Sequence, residues 1–156
     1  MIFSSTIATV ANTSESNAKI TRLPVAKGLV YRVEVEFPPG CCGLMNCQIF
    51  DGSYQVYPTS RDDSFHSDAR NIAFDDSYLK TSAPFEFTIK TWNLDETWDH
   101  GIQVRIAMAS SEAFMSRYMP SISWEKFQGV LAKASLEQEA LKRAAILQAT
   151  KELKGL

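Results

Sequence analysis

Residues 29–37 read Leu-Val-Tyr-Arg-Val-Glu-Val-Glu-Phe, and this stretch is the clearest indication of the fold. Its odd-numbered residues are all apolar, whereas Arg32, Glu34 and Glu36 lie between them. Successive side chains of a β-strand point to opposite faces of the sheet, so this alternation predicts a strand with one buried and one solvated face. Pro38-Pro39-Gly40 follows directly and ends the strand, because proline cannot donate a ladder hydrogen bond.

The same alternation recurs twice further along the chain. In Phe85–Trp92, apolar residues occupy every second position up to Ile89, and in Ile102–Met108 they do so throughout, with polar or small residues between them. Both stretches are therefore predicted to be half-buried strands. Weaker candidate strands are Phe3–Val10, Lys19–Leu23, Met45–Phe50, Tyr54–Tyr57, Ile72–Phe74 and Tyr78–Lys80.

Asp51-Gly52-Ser53 separates two of these candidates and predicts a tight hairpin turn, since glycine and aspartate tolerate positive φ. Strands with one solvated face are typical of antiparallel sheets, and no long helical pattern lies between the strands. The sequence therefore predicts a mainly β protein, an antiparallel β-sandwich of jelly-roll-like topology with a C-terminal helical tail. The residues expected in the core are Leu29, Tyr31, Val33, Val35, Phe37, Phe85, Phe87, Ile89, Ile102, Val104 and Ile106.

The chain is predicted to have three parts: an N-terminal strand or arm (residues 1–22), a β-sandwich body (23–110) and a helical tail (111–156). In the tail, a short helix is expected at Glu112–Tyr118 and a long one from Trp124 to about Leu153. The long helix is rich in strong helix formers but has no single wide apolar stripe. Three alternatives stay open for it: it projects onto another chain, it folds back over the body, or it frays.

Composition excludes several classes of protein. A chain of 156 residues with 45% hydrophobic residues has the size and composition of one globular domain. Its net charge of −2 argues against a nucleic-acid partner, which would require a surplus of Lys and Arg. No apolar run is long enough for a membrane-spanning helix, so no membrane partner is expected. Residues 1–11 carry no Lys or Arg and make a poor signal peptide, so we expect synthesis in the cytoplasm of a host cell.

The three cysteines are candidate metal ligands. Cys41, Cys42 and Cys47 form an odd set without a CxxC spacing, and only His66 and His100 could complete a zinc site. The alternative is that they are small buried thiols near the start of a strand. We expect no disulfide, no bound metal and no cofactor.

Acidic residues dominate the middle of the chain, with ten acids against four bases between residues 51 and 101. Oxygen-rich loops can bind calcium, but no EF-hand spacing is present, so solvated carboxylates are the favoured interpretation. Ser64 and His66 lie among aspartates and supply the residue types of a hydrolytic triad. The chain has no GxSxG nucleophile elbow, so the sequence favours a protein that is not an enzyme.

Two tryptophans stand out as candidate surface residues. Trp92 falls on the polar phase of its strand, and Trp98 lies in a polar segment between two strong strands. With Tyr57 they could form an aromatic platform at the rim of the sandwich, where tryptophans stack on sugars or contact partner chains. The alternative is that they pack in the core.

Several runs in the middle of the chain carry a resemblance. They are Phe37-Pro38-Pro39-Gly40, Gln48-Ile49-Phe50-Asp51-Gly52, Phe74-Asp75-Asp76-Ser77-Tyr78-Leu79-Lys80, Pro84-Phe85-Glu86-Phe87 and Trp92-Asn93. Over about residues 23–125 the chain resembles small proteins associated with the structural genes of tailed phages. The resemblance implies a virion component, such as a capsid decoration (cement) protein or another head or tail accessory. It carries over no functional residue.

The expected function is therefore that of a non-enzymatic virion structural protein. We expect a capsid decoration or accessory head protein that stabilises the shell through subunit contacts. Its partners would be the major capsid protein or another virion protein, and copies of itself in a homo-oligomer such as a trimer. The alternative is a carbohydrate-binding β-sandwich module that uses rim tryptophans. The residues expected to bind partners are Ile2, Phe3, Ile7, Trp92, Trp98, Trp124, Phe127 and Leu131.

The two ends of the chain are central to this expectation. Residues 1–11 are apolar and uncharged, which suits a strand that adds to a sheet edge, either its own or a neighbour's. The tail would gain stability by docking on a neighbouring subunit. The competing view is that both segments simply complete the core of the same subunit.

Overall fold

Nine antiparallel strands form two sheets in the computed structural model, which describes residues 1–122, 124–130, 132, 133, 136 and 140. Two compact units make up the chain, residues 1–111 and residues 112–156. The strands all belong to the first unit. They are β1 (Ile2–Thr9), β2 (Lys19–Pro24), β3 (Gly28–Phe37), β4 (Met45–Asp51), β5 (Tyr54–Tyr57), β6 (Phe65–His66), β7 (Arg70–Lys80), β8 (Glu86–Asn93) and β9 (His100–Ala109).

The two sheets enclose one core. The first sheet has the strand order β1-β9-β3-β7, and the second has the order β2-β8-β4-β5, with β6 also paired to β4. Each sheet contributes the inward-facing side chains of alternating positions, as the sequence pattern predicts. The antiparallel β-sandwich is thus confirmed. The buried core is formed by Ile7, Leu23, Val30, Val33, Val35, Phe37, Cys41, Met45, Cys47, Ile49, Val56, Tyr57, Phe87, Ile89, Ile102, Val104, Ile106 and Met108.

A β-bulge in β3 changes which residues are buried in its first half. Val30 pairs with Met108, but the next residue in register with β9 is Arg32, so Tyr31 is an extra residue. An extra residue reverses the inward and outward alternation on one side of the bulge. Val30 is therefore fully buried, while Leu29 and Tyr31 are only half-buried. The assignment of Leu29 and Tyr31 to the core is wrong for this reason.

One further core assignment is also wrong. Phe85 is 39% exposed, because it precedes β8, which begins at Glu86. The remaining predicted core residues are all fully or almost fully buried.

The weaker strand predictions are confirmed with small changes. Ile72–Phe74 and Tyr78–Lys80 are parts of one strand, β7, and the short strand β6 was not predicted. The hairpin turn between β4 and β5 is present, with Asp51 paired to Tyr54. Gly52 takes a φ of 59° there, which glycine adopts without strain.

The N-terminal segment belongs to the chain's own sandwich. β1 pairs with β9 over eight register positions, from Ile2 opposite Ala107 to Thr9 opposite His100. Ile7 is only 2% exposed and is part of the core. The N-terminal strand thus adds to an edge of the chain's own sheet.

Helix follows the last strand. α1 spans Ser111–Tyr118, one residue longer than predicted, and residues 120–122 and 124–130 are also helical. Most of the long helix expected up to about Leu153, including Leu131, lies outside the described residues. Among the helices that the structure describes, none is long and apolar enough to cross a membrane.

A buried ion pair connects the two sheets at the end of β7. Lys80 is 1% exposed, its Nζ donates to the carboxylate of Asp51 at the end of β4, and it lies 5.8 Å from the centre of the Phe87 ring. The hydroxyl of Tyr78 donates to the other Asp51 oxygen at 2.8 Å. Burial, more than this hydrogen bond, raises the pKa of Tyr78 to about 12.

Candidate functional site

A groove of about 720 Å³ lies on the outer face of the second sheet. Its floor is formed by outward-facing side chains of β4, β5 and β8, since Gln48 is directly opposite Lys90 and Phe50 is opposite Gln55. One wall is a 3-10 turn that contains Glu15, and the other is the connection between β5 and β6. The residues that line it are Glu15, Gln48, Phe50, Ser53, Tyr54, Gln55, Thr59, Arg61, Asp62 and Lys90. We call it the outer groove.

Two glutamines on the floor hold the β5–β6 wall in place. Gln48 Nε2 donates to the backbone oxygen of Asp63 at 2.9 Å. Gln55 Nε2 lies within hydrogen-bonding distance of three backbone oxygens, those of Pro58 (2.8 Å), Ser60 (3.1 Å) and Asp63 (3.0 Å). Side-chain to backbone hydrogen bonds of this kind fix a loop over a sheet. The chain therefore holds this wall in place through its own hydrogen bonds.

The opposite wall is fixed by an ion pair. Lys90 Nζ lies 3.0 Å from Glu15 Oε1 and 5.3 Å from the centre of the Trp92 ring. The Lys90 side chain is 24% exposed and that of Glu15 is 56% exposed, so water screens the pair and its contribution to stability is small. Its main effect is to position the 3-10 turn beside the groove.

Gln48 has one polar atom that the fold does not satisfy. The residue is 2% exposed, and no described protein atom donates to its Oε1. A buried acceptor without a partner costs about 1–3 kcal/mol. The side chain belongs to the lining of the outer groove. A buried acceptor without a protein partner calls for a donor from outside the chain, such as a water molecule or a ligand.

Two exposed side chains of the outer groove are available to a ligand. Arg61 and Asp62 form no hydrogen bond or ion pair with any residue in the part of the chain that the structure describes. The ring of Phe50 projects from the floor and is half-buried. Tyr54 is 61% exposed, but it pairs with Asp51, so its side chain lies on the Asp51 side of the sheet and not on the outer face. With the Lys90–Glu15 pair, the formal charges of the lining sum to zero. The groove thus combines an aromatic ring with donors and acceptors, and has no net charge.

The predicted aromatic platform at the rim is not formed. Trp92 is 6% exposed and Tyr57 is 2% exposed, whereas Trp98 is 69% exposed. Tyr57 faces the core and donates its hydroxyl to Asp76 at 2.8 Å, and burial raises its pKa. The alternation of side chains along β8 places Trp92 on the outer face, but the Lys90 ammonium group lies over its ring. Only Trp98 remains as a surface tryptophan of the sandwich.

Trp98 is presented by an ordered loop between β8 and β9. Asp95 Oδ1 accepts hydrogen bonds from the backbone N–H groups of Thr97 (2.8 Å) and Trp98 (3.0 Å). Its other oxygen lies 2.9 Å from His100 Nε2. These interactions, with the Thr97 hydrogen bond as the largest cause, lower the pKa of Asp95. The loop is therefore a fixed support for an exposed aromatic side chain.

Two of the three cysteines are thiols buried near the start of β4. Cys41 and Cys47 are buried and Cys42 is exposed, and all three are free. Burial raises the pKa of both Cys41 and Cys47, which disfavours the thiolate that a metal requires. In the described part of the chain, no three His, Cys, Asp or Glu side chains are grouped as a metal site would need.

Ser64 and His66 do not form a nucleophile–base pair. The Ser64 hydroxyl donates to Asn46 Oδ1 at 2.9 Å, and His66 Nδ1 lies 3.2 Å from the backbone oxygen of Ser64. A triad requires the histidine to accept the proton of the hydroxyl itself.

The loop acids act largely as internal acceptors, a role that the sequence did not predict. Asp68 accepts from the backbone N–H of Gly40, and Asp99 accepts from that of Ala11, both at 2.8 Å. These contacts tie loops that are distant in sequence.

The residues expected to bind partners fall into three groups. Ile2, Trp98, Trp124 and Phe127 are exposed, and Phe3 is half-buried. Ile7 and Trp92 are buried in the sandwich, which corrects their assignment to a partner surface. Leu131 lies outside the described residues.

Sequence reasoning missed the outer groove, although one signal was present. In β4, Asn46 and Gln48 alternate with apolar residues, which indicated an outward polar face. Nothing in the local pattern showed that the β5–β6 connection would return over that face. No protein-family model, curated protein or solved structure matches this chain. The features that define it are an antiparallel β-sandwich and a polar groove on one outer face.

Proposed function

We propose that the protein is a non-enzymatic virion structural protein, a capsid decoration or accessory head protein that assembles as a homo-oligomer on a larger shell. The resemblance of residues 23–125 to tailed-phage structural proteins suggests the setting. The observation that carries the assembly role is a run of exposed apolar side chains on the C-terminal helical segment.

These side chains are too large and too exposed for an isolated surface helix. Trp124 is 58% exposed, Phe127 51% and Val130 65%. Residues three apart on a helix are neighbours, and the rings of Trp124 and Phe127 are 5.7 Å apart between centroids. Contiguous exposed apolar surface of this kind typically marks a contact with another protein. We define Trp124, Phe127 and Val130 as the helical apolar patch.

A second copy of the chain is the proposed occupant of the helical apolar patch. Closed homo-oligomers are the commonest assemblies of soluble proteins, and tryptophan is enriched where their subunits meet. Trp98 on its ordered loop would supply a separate contact, directed at the shell.

The sandwich suits a shell protein. The pairs β1·β9, β2·β8, β3·β7 and β4·β5 are nested along the chain. This nesting supports the jelly-roll topology that we propose, an arrangement shared by many viral capsid domains and lectins. The argument at this level is one of fold analogy, and it adds only to the assembly argument.

Oligomeric state tests the proposal directly. Light scattering coupled to gel filtration should give an oligomer for the full chain and a monomer for Trp124→Glu combined with Phe127→Glu, because charges at an apolar interface are costly to bury. Leu79→Glu is the matched control, since Leu79 is also 58% exposed but lies on β7. It should leave the oligomer intact.

Location on a particle tests the second half of the proposal. Immunogold labelling of purified virions from the source cells should decorate the particle surface in a regular, saturable manner. A monomeric full chain, or particles that carry no label, would contradict the proposed function.

A further inference from the structure

We infer that the outer groove is a binding site for a neutral saccharide. This inference does not depend on the virion role, because it follows from the chemistry of the groove alone. At about 720 Å³ the groove lies within the range of sites that take small-molecule ligands, about 300–1,000 Å³.

The balance of charge in the groove selects against ionic ligands. Glu15 and Asp62 are matched by Lys90 and Arg61, and Lys90 is already paired with Glu15 at 3.0 Å. The two carboxylates and the two basic groups of the lining cancel, so the groove gives an ion of either sign no net attraction. A neutral ligand does not depend on such attraction.

The polar groups of the groove select against a purely apolar ligand. Gln48 Oε1 needs a donor, the Arg61 guanidinium offers donors, and the Asp62 carboxylate offers acceptors. An apolar molecule would displace water from these groups and leave them without partners. The ligand must therefore carry several groups that can both donate and accept, and hydroxyl groups do so.

An aromatic ring in the groove also suits a saccharide ligand. Phe50 projects from β4 on the outer face, opposite Gln55, and its half-buried ring lines the groove. A pyranose ring has an apolar face of C–H groups that stacks on such a ring, while its hydroxyls point outward to polar partners. Both walls are already held by hydrogen bonds within the chain, so little conformational entropy is lost on binding.

This site differs from the rim tryptophans that the sequence suggested for carbohydrate. Trp92 lies under the Lys90 side chain, and Trp98 is not part of the lining. The two locations can therefore be separated by substitution.

The test begins with the fluorescently labelled full chain on a glycan array that carries neutral glucans, galactans, mannans and N-acetylglucosamine oligomers beside sialylated and sulfated glycans. We expect a subset of the neutral glycans to bind, with little effect of added salt. The strongest neutral oligosaccharide is then titrated into the full chain by calorimetry and by amide NMR.

Substitutions at Phe50 and at three exposed positions provide the variants. Phe50→Ala and Arg61→Ala remove the stacking surface and a donor, and each should weaken binding at least about tenfold while the amide spectrum remains that of a folded sandwich. Their controls are Trp98→Ala, at an exposed aromatic residue outside the lining, and Arg22→Ala, at an exposed arginine of the same sheet outside the lining. Both controls should bind as the wild type does.

A further variant addresses the buried glutamine. Gln48→Leu removes Oε1 and also the Nε2 hydrogen bond to Asp63, so it should weaken binding both by the loss of the acceptor and by loosening the β5–β6 wall, while the amide spectrum remains that of a folded sandwich. The inference is overturned if no neutral glycan binds, if only charged glycans bind in a salt-sensitive manner, or if Trp98→Ala abolishes binding while Phe50→Ala and Arg61→Ala do not.

Discussion

The buried pair of Lys80 and Asp51 allows the sharpest prediction about stability. We consider Asp51→Asn, which keeps the shape of the side chain and removes only its charge. In the native protein, Lys80 is 1% exposed and its ammonium group has Asp51 as its carboxylate partner. After the substitution, a buried positive charge is left without a counter-charge between the two sheets.

The expected loss follows from the burial of the pair. Removing one partner of a buried ion pair costs about 3–5 kcal/mol, because the remaining charge stays desolvated. A domain has only about 5–15 kcal/mol of stability, so the change is large. Lys80→Met should cost much less, about 1–2 kcal/mol, since Asp51 keeps the Tyr78 hydroxyl and its side chain is 18% exposed to water.

Urea unfolding measures both values. The fluorescence of Trp92, which is 6% exposed in the native state, reports on the sandwich. With a slope of about 2 kcal/mol per molar urea, Asp51→Asn should lower the unfolding midpoint by about 2 M. The double variant, Asp51→Asn with Lys80→Met, should recover much of that loss, because no unpaired charge remains.

Two results would refute this reasoning. One is an Asp51→Asn protein whose free energy of unfolding lies within about 1 kcal/mol of the wild type. The other is a Lys80→Met protein that is destabilised as much as Asp51→Asn, since the cost would then come from lost packing and not from an uncompensated charge.

Three further predictions concern pH and the tail. The raised pKa of Tyr78 means that its protonated form is favoured in the folded state, so stability should fall as pH rises from about 10 to about 12. Thermal unfolding of Tyr78→Phe should show a shallower alkaline decline, and an unchanged decline would exclude Tyr78 as its source. The lowered pKa of Asp95 contributes stability that is present above the unfolded pKa of about 3.9 and lost as pH falls through the lower folded value. Asp95→Asn should therefore flatten the acid limb of the melting profile, and a limb that keeps its slope would count against this assignment. Deleting residues 120–156 removes the helical apolar patch, so self-association should weaken. The melting transition of the sandwich should stay unchanged, because residues 1–111 form a compact unit of their own. An unfolded or aggregated truncated chain would show that the tail completes the core.

The sequence alone determined the class of fold, because the alternation of apolar and polar residues is a local property. In β3, β8 and β9, side chains two apart share a face wherever the strand finally lies, so the pattern is readable without its partners. The hairpin at Gly52 is likewise local, since it depends on one residue that accepts positive φ. An antiparallel sandwich with one shared core follows from these features.

Only the tertiary structure decided at which residues the burial departs from this alternation. Because of the bulge at Tyr31, Val30 is buried in the core in place of Leu29. The position of the bulge depends on the registers of β3 with its two neighbouring strands. Trp92 is outward-facing by phase yet only 6% exposed, and the Lys90 ammonium group lies over its ring.

The outer groove and the buried ion pair have the same physical origin. Lys80 and Asp51 are 29 residues apart in sequence, and Gln48 and Asp63 are 15 apart. Their contacts exist because strand order brings distant segments together, and burial then makes each unpaired charge or acceptor costly. Local periodicity carries no information about strand order, so a sequence pattern can identify an outward glutamine without showing that a loop will close over it.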